Sequence, residues 1–357
     1  MTHVSAPGKL MIAGEWSVLE PGNPCIVAAV DKRVHAEVRK SAVLTLELKD
    51  FDIKASGSFV NGRIIWDSDD PKLIFAKSSA ETVVKYTGRE EPFRLITYGS
   101  ADMETKGAKL GFGSSSAATV AMVAAILGYF SKKEKFETTV FRLSAIASYN
   151  AQGKMGSCFD IAAAVYGGVI TYERFDPKWL EAELRSSQMR DMIIKKWPGL
   201  KVRRLGIPGN LQLLVGYSGK AASTTEMIRQ MKEFRQENSE NYARIMGDIS
   251  VTVQSMVKAW EASDADVVIS LANRNEKLLR ELTRLSNMPI ETKELMRLSA
   301  LAEDEGAGGK LSGAGGGDCA IAICFSEKTA QQVKSAWESN GFRMVNVKID
   351  KQGIREE

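Results

Sequence analysis

The sequence has few of the residues that build metal and redox centres. It contains two histidines and four cysteines, and no two cysteines form a Cys-x-x-Cys pair. A zinc site or a disulfide framework is therefore not expected, and free thiols are typical of a reducing cytoplasm. The chain also lacks an apolar run of about 18 residues, and its first residues lack the regions of a signal peptide. We therefore expect a cytoplasmic protein without a membrane span.

A large excess of charge of either sign is missing as well. The 48 lysines and arginines outnumber the 44 aspartates and glutamates by four, and no basic run occurs. This balance argues against a nucleic-acid partner and suits an anionic small molecule. No feature of the sequence indicates an oligomeric state.

Two common phosphate-binding loops are absent too. No Gly-x4-Gly-Lys-Ser/Thr string occurs, and Lys109 precedes the loop GFGSSS (111–116) instead of following it. Ser116 stands where a dinucleotide-binding Gly-x-Gly-x-x-Gly loop needs its third glycine. What is present is a turn rich in glycine and serine that leads into an apolar, alanine-rich stretch.

This turn has two interpretations. A helix N-terminus carries unpaired N–H groups and a partial positive charge, so glycines and serines placed there can bind a phosphate. Serine is also a common N-cap, and a helix with surplus caps would have the same residues. The turn alone leaves both interpretations open.

The remaining patterns predict an α+β protein in two domains, 1–200 and 201–357, with a weakly patterned passage over 175–205. Alternating β-branched segments predict strands, and periodic apolar positions predict helices. The predicted strands are 26–38, 42–55, 167–173, 211–218, 319–325 and 342–349. The predicted helices are 72–86, 114–130, 136–150, 223–246, 249–262, 264–286, 290–305 and 330–340.

Three segments, in this order, resemble the signature segments of the GHMP kinases. They are APGKLMIAGEWSVLEPG (6–22), GFGSSSA (111–117) and KLSGAGGGDCAIAI (310–323). A fourth segment, AQGKMGSCFDIAAAVYGG (151–168), resembles the version typical of the phosphomevalonate kinases, except that Cys158 stands where these often have glycine. The resemblance therefore covers nearly the whole chain.

The resemblance implies the two-domain GHMP kinase fold. In this fold an N-terminal domain like ribosomal protein S5 domain 2 faces a ferredoxin-like C-terminal domain across the active site. It also implies the activity of a phosphomevalonate kinase, which uses ATP and Mg²⁺ to phosphorylate 5-phosphomevalonate. Mevalonate kinase or another GHMP small-molecule kinase is an alternative, and so is a catalytically inactive binding protein with this fold.

The resemblance further implies roles for individual residues. The implied catalytic residues are Lys9, Lys109 and Asp160. The residues implied in binding the ATP phosphates are Gly111, Gly113, Ser114, Ser115 and Ser116. Those implied in binding the acceptor are Lys9, Gly156, Ser157, Ser223, Gly315 and Gly316, with Lys220 as a weaker candidate.

Each role has a structural alternative. Lysines are usually solvated surface charges, and an aspartate at position 160 could cap a helix. Ser223 could begin a capping box with Glu226 instead of meeting the acceptor. Glu15 is expected to fix Lys9 or a backbone turn.

Ser115 is the implied Mg²⁺ ligand, through its hydroxyl. Many family members add a glutamate from the helix before the catalytic aspartate, but the only acid of that helix here is Glu137, at its far end. From Thr138 to Phe159 there is no acid at all. The metal is therefore expected to rest on Ser115, phosphates and water, which suits the preference of Mg²⁺ for oxygen and retained water. Asp160 is a further candidate ligand.

Overall fold

The computed structural model describes residues 1–99, 104–105, 108–130, 136–153, 156–220 and 224–357. Residues 104–105, 108–109 and 224–225 are described by their backbone only. Ser223, a predicted acceptor-binding residue, lies outside the described residues. Lys109 is described by its backbone alone.

Most strands form one large sheet around the long central strand β2. The strands are β1 (Thr2–Ala13), β2 (Pro24–Lys40), β3 (Leu44–Leu48), β4 (Ile53–Val60), β5 (Arg63–Trp66), β6 (Phe93–Gly99), β7 (Glu104–Thr105), β8 (Ala108–Lys109), β9 (Val169–Glu173), β10 (Lys201–Leu205), β11 (Gln212–Tyr217), β12 (Gly308–Leu311), β13 (Cys319–Cys324), β14 (Arg343–Met344) and β15 (Arg355–Glu356). Across the described ranges the large sheet has the order β10-β9-β2-β6-β3-β4-β5, and β1 pairs with β2 and β15. A second sheet has the order β12-β13-β11-β14, and β7 pairs with β8.

The antiparallel ladder between β1 and β2 is irregular near its centre. Its register shifts between Pro7 and Gly8 and again between Met11 and Ala13, on either side of Lys9. Bulges bend a strand and re-aim its side chains, and they are frequent beside functional sites. The two irregularities therefore indicate that the direction of the Lys9 side chain is set by the bends of β1 on either side of it.

The helices cover the large sheet and complete the second part of the chain. They are α1 (Ile74–Thr87), α2 (Ser114–Phe130), α3 (Phe136–Gln152), α4 (Phe159–Tyr166), α5 (Pro177–Ser186), α6 (Met189–Ile194), α7 (Thr224–Glu237), α8 (Ser239–Glu261), α9 (Ala265–Ser286), α10 (Lys293–Asp304) and α11 (Glu327–Ser339). Helix α2 begins and ends where the sequence predicted. Its apolar residues pack against β1, β2, α1 and α3. A helix that is apolar on all sides is expected to be buried in this way.

Two hydrophobic cores lie on the two faces of the large sheet. Leu10 and Ile12 of β1 belong to the core shared with α8, α9 and the second sheet. Met11, between them, belongs to the core shared with α1 to α4. Successive side chains of a strand point to opposite faces, so β1 contributes to both cores. This places the first signature segment between the two hydrophobic cores.

Several predicted elements need correction. Residues 175–205 are not a loose passage: they contain α5, α6 and β10, and β10 pairs with β9 in the large sheet. The helix predicted over 223–246 is broken at Asn238, whose φ of −137° is not helical, whereas Gly247 lies within α8. Asparagine competes for backbone hydrogen bonds and so favours such breaks. The strand predicted over 342–349 is limited to β14 and one bridge at Ile349.

Strands β1, β5, β6, β7, β8, β12 and β15 and helix α4 were not predicted. β1 and β12 carry glycine-rich signature segments, and glycine weakens the strand pattern. The predicted domain boundary at residue 200 stays a prediction. Two strands that follow this boundary, β10 and β15, pair with β9 and β1 of the large sheet. Among the helices of the described ranges, none is long and apolar enough to cross a membrane.

Candidate active site

The loop GFGSSS turns sharply before α2. Gly111 and Gly113 have φ values of 76° and 72°, in the left-handed region that glycine adopts without strain. The backbone N–H groups of Ser116 and Ala117 donate hydrogen bonds to the Gly113 carbonyl at 3.1 and 3.0 Å. These bonds close the first turn of α2 on the loop. The helix N-terminus and its partial positive charge therefore lie at the loop, as a phosphate site requires.

Lys9 lies directly against this loop. Its backbone N–H is donated to the Phe112 carbonyl at 2.8 Å, and its Nζ is donated to the Gly111 carbonyl at 2.8 Å. A Cβ on Gly113 would lie 3.2 Å from the Cγ of Lys9, and one on Gly313 would lie 3.7 Å from its Nζ. The Lys9 side chain therefore fills the space that glycines of the second and third segments leave free.

Charge and burial act in opposite directions on Lys9. Burial lowers the pKa of the Lys9 ammonium from 10.5, and the carboxylates of Asp160 and Asp318 raise it. The Nζ also lies 5.8 Å from the centre of the Phe159 ring, within the range of a cation–π contact. The structure thus places Lys9 within the electrostatic field of Asp160, another of the predicted catalytic residues.

Asp160 lies in the first turn of α4 and is bound to the glycine–serine loop. The hydroxyl of Ser116 donates to its Oδ2 at 2.6 Å. Ser115 is exposed in the first turn of α2, whereas Ser114 and Ser116 on either side of it are partly buried. Ser116 was predicted to contact ATP phosphates, and its hydroxyl connects the loop to Asp160. The sequence did not indicate this contact, because the two residues lie 44 positions apart.

The start of α4 depends on a left-handed residue that is not glycine. Cys158 precedes the helix with φ 62° and ψ 13°. Glycine adopts this left-handed conformation without steric cost, which explains why the signature segment often has glycine at this position. Burial raises the pKa of the Cys158 thiol to about 12, so the thiol is neutral. Beside it, the hydroxyl of the buried Tyr172 donates to the Ser157 carbonyl at 2.7 Å. Tyr172 supports the predicted acceptor residues and was missed, because on β9 it resembles an ordinary core aromatic.

Asp318 of the third segment lies directly against Gly111 of the second segment. A Cβ on Gly111 would lie 2.6 Å from the Oδ2 of Asp318. Asp318 has φ 57°, and its N–H is donated to the Lys220 carbonyl at 2.7 Å while its carbonyl accepts the N–H of Ser218 at 2.9 Å. A strained residue held on both sides by hydrogen bonds is typical of a functional site. The sequence assigned no role to Asp318.

Gly315 and Gly316 have a different environment. A Cβ on Gly315 would lie 2.1 Å from the Ile290 carbonyl oxygen, and one on Gly316 would lie 2.9 Å from the Sδ of Met227. The N–H of Gly316 is donated to the Ile290 carbonyl at 2.8 Å. Packing alone accounts for both glycines, and their role in binding the acceptor stays a prediction.

Two further charged residues that the sequence singled out are engaged in ion pairs. Lys220, the weaker acceptor candidate, forms an ion pair with Glu294 at 2.9 Å. Glu137 accepts a hydrogen bond from Arg204 at 2.9 Å, on an exposed surface. Because Glu137 is engaged there, α3 supplies no carboxylate to the loop, as its place in the sequence indicated.

The atoms near the loop that could bind a metal ion are oxygen atoms. Within the described ranges no cluster of three or more histidines, cysteines or acids is suited to hold a metal. The Ser115 hydroxyl and the Asp160 carboxylate are hard oxygen donors beside the glycine–serine loop, which fits Mg²⁺ bound mainly through phosphate and water. The predicted role of Ser115 as a metal ligand stays a prediction.

The class of protein follows from this site and from known sequences. The model of the GHMP kinases N terminal domain matches residues 75–168, and that of the GHMP kinases C terminal matches residues 256–343. The chain is 34% identical over 355 residues to a phosphomevalonate kinase from Streptomyces sp. (strain CL190), with 94% of each chain covered. The chain therefore belongs to the GHMP kinase family, as the sequence predicted.

Solved structures have the same fold over the full length. The Lin0012 protein from Listeria innocua matches with a TM-score of 0.92 at 29% identity, and 99% of both chains is covered. The Streptococcus pneumoniae phosphomevalonate kinase, in complex with phosphomevalonate and AMPPNP, matches with a TM-score of 0.84 at 26% identity. That match covers 98% of this chain and 99% of the other. The predicted two-domain GHMP kinase fold is confirmed.

Proposed function

We propose that this protein is a phosphomevalonate kinase of the mevalonate pathway of isoprenoid synthesis. It transfers the γ-phosphoryl group of ATP to the phosphate of 5-phosphomevalonate, giving ADP and 5-diphosphomevalonate. The surroundings of Lys9 support this most: a buried ammonium bound to the Gly111 carbonyl, beside Gly313 of the third segment and within the field of Asp160. A cation at this junction can lie between a nucleotide on the loop and a second anion beside it.

The loop and its lysines serve the donor. The N-terminus of α2 holds the ATP phosphates through backbone N–H groups and the hydroxyls of Ser114 and Ser115. Lys9 and Lys109 neutralise the charge that develops as the γ-phosphoryl group leaves the β-phosphate. Stabilising this charge is the main task of a phosphoryl-transfer site, since the protein itself forms no bond.

The acceptor needs little activation. A phosphate monoester has a second pKa of about 6 and is largely dianionic at neutral pH. One of its oxygens attacks the γ-phosphorus, the bond to the ADP oxygen breaks, and no proton has to be removed. We infer that Asp160 orients Ser116 and balances the charge of Lys9 instead of acting as a general base.

Magnesium completes the site in this proposal. Ser115 would hold it through the hydroxyl, with Asp160 as a second oxygen donor and phosphate and water in the remaining positions. Bound Mg²⁺ supplies neutralisation of the phosphate charges. The cytoplasm is the proposed location, since all four cysteines are free and buried.

The acceptor is tested by measuring ADP release with mevalonate, with 5-phosphomevalonate and without an acceptor. We expect the wild type to use 5-phosphomevalonate alone, with an acidic limb of the pH profile near 6. Asp160→Asn should retain measurable activity, reduced by roughly one to three orders of magnitude, with the same limb. Robust turnover of mevalonate would contradict the assignment, and a limb that disappears in the variant would make Asp160 a general base.

The metal site is tested by titrating Mg²⁺ at saturating ATP. Ser115→Ala should require more Mg²⁺ for half-maximal activity, by about tenfold, because it removes one direct oxygen ligand. The matched control is Ser186→Ala, since Ser186 lies exposed at the end of α5 and only donates to a carbonyl of its own helix. An unchanged titration for Ser115→Ala would remove this residue from the metal site.

A further inference from the structure

A buried ion pair joins the first and third signature segments. Lys310 of β12 and Glu15, which follows β1, form a salt bridge in which both side chains are fully buried. The Nζ of Lys310 also donates to the Leu311 carbonyl. The sequence indicated that Glu15 would fix Lys9 or a turn, and it did not indicate the side-chain pairing of Glu15 with Lys310.

Two adjacent residues of α9 hold both segments at once. The Oδ1 of Asn275 accepts the Gly14 N–H at 3.2 Å, and its Nδ2 donates to Glu15 at 3.3 Å. The next residue, Glu276, accepts the Leu311 N–H at 2.9 Å. Asn275 is fully buried and Glu276 almost so. One helix therefore binds the middle of the first segment and the start of the third through neighbouring side chains.

The same junction continues to Lys9. Ser312, directly after Leu311, accepts the Met11 N–H at 2.9 Å and donates to the Met11 carbonyl at 3.0 Å. Gly313 follows, and a Cβ there would lie 3.7 Å from the Nζ of Lys9. The third segment thus contacts β1 two residues from Lys9 and then passes the ammonium itself.

Stability alone is a weak explanation for this arrangement. Removing two charges from water costs several kcal/mol per ion, so a buried pair is often no more stable than apolar residues of similar volume. Charged and amide groups do impose one geometry, because each has to keep its hydrogen-bond partners.

We propose that Glu15, Lys310, Asn275 and Glu276 form a positioning clamp that sets the distance between Lys9 and the glycine loop 313–317. The proposal rests on the kinase function given above. None of the four residues is a catalytic residue. The clamp affects turnover through the position of the Lys9 ammonium. Loss of the clamp should therefore lower kcat more than it raises KM for ATP.

The test is a cycle of Glu15→Gln, Lys310→Met and the double variant, with Tm, kcat and KM measured for each. Each single variant leaves one buried group without its partner and should lower Tm more than the double variant does. The double variant should regain most of the Tm and still have a kcat at least tenfold below wild type, with KM for ATP changed less than threefold. A double variant that regains kcat together with Tm would make the clamp merely structural and overturn the proposal.

Asp350→Asn is the matched control. It also changes an acid to an amide in a mostly buried ion pair. The partner in this pair is Arg33, which also binds Ser5 and C-terminal residues. We expect a lower Tm with kcat within twofold of wild type, and an equal loss of kcat there would contradict a special role for the clamp. Turnover is measured with the acceptor that the wild type uses, so a wrong acceptor would contradict the proposed function and leave this comparison intact.

Discussion

The two glycine-rich loops of this protein have similar composition and different surroundings. In the loop before α2, Gly113 leaves room for the side chain of Lys9. In the loop after β12, Gly315 packs onto the Ile290 carbonyl, and a Cβ would lie 2.1 Å from that oxygen. A flexible lysine side chain can move aside, whereas a backbone carbonyl cannot. Gly113 of the first loop therefore accommodates a side chain of the candidate active site, and Gly315 of the second is required by the scaffold.

This difference teaches that a glycine-rich segment does not by itself mark a ligand contact. Both loops contain left-handed residues, and both resemble signature segments of the family. Only the neighbouring atoms separate glycines that serve a ligand from glycines that serve packing. The following substitutions test that separation.

The largest effect is expected for Gly315→Ala. The new Cβ has to displace the backbone at Ile290. In addition, the φ of 80° at residue 315 is strained for alanine. We expect a loss of about 3 kcal/mol or more in the free energy of unfolding, from overpacking and from strain together. Gly306→Ala is the control, because Gly306 has φ 84° and no atom within 4 Å of its Cβ position. Equal losses in chemical denaturation would mean that strain alone matters and that Gly315 is not a packing residue.

A smaller loss of stability and a larger loss of activity are expected for Gly113→Ala. Alanine at φ 72° costs about 1–2 kcal/mol. Its Cβ would also press on the Lys9 side chain at 3.2 Å, and a displacement of this kind can reduce kcat by about 10²-fold. Gly22→Ala provides the matched control, since Gly22 has φ 85° and open space around it. Steady-state kinetics with unchanged kcat would show that Lys9 adjusts freely and that the loop tolerates a side chain.

Much of this site follows from the sequence. The resemblance assigned Lys9, the GFGSSS loop and Asp160 to one active site without indicating their individual contacts, and α2 starts at Ser114 as predicted. Local chemistry decides such features: glycines allow the turn, serines cap the helix, and alanines allow close packing.

The positioning clamp could not be predicted in the same way. Asn275 and Glu276 lie in a helix rich in charged residues, where polar side chains normally face solvent. Their partners are about 260 and 35 positions away, and no local pattern records contacts at such distances. Lys310 was quoted within a signature segment and given no role, because its partner Glu15 becomes visible only when β12 is placed beside the first segment.

The smallest effect that we predict is a pH dependence of stability caused by Glu276. Burial raises the pKa of its carboxyl to about 8 from 4.5, Lys310 lowers it, and Glu291 raises it further. The folded state therefore binds this proton more tightly than the unfolded state does. The resulting stabilisation is complete below about pH 4.5 and is lost as the pH rises towards 8.

Glutamine at this position copies the protonated carboxyl, keeps an acceptor for the Leu311 N–H and does not titrate. Relative to wild type, Glu276→Gln should therefore gain stability progressively between about pH 5.5 and pH 8, as measured by denaturant unfolding. Glu303→Gln is the control, because Glu303 forms an exposed pair with Lys277 and should show no such gain. A constant difference between Glu276→Gln and wild type across this range would mean that Glu276 is ionised in the folded protein throughout. The clamp would then hold two buried carboxylates against one ammonium, and Arg280, which pairs with Glu291 at 2.8 Å, would have to carry more of the balance of charge.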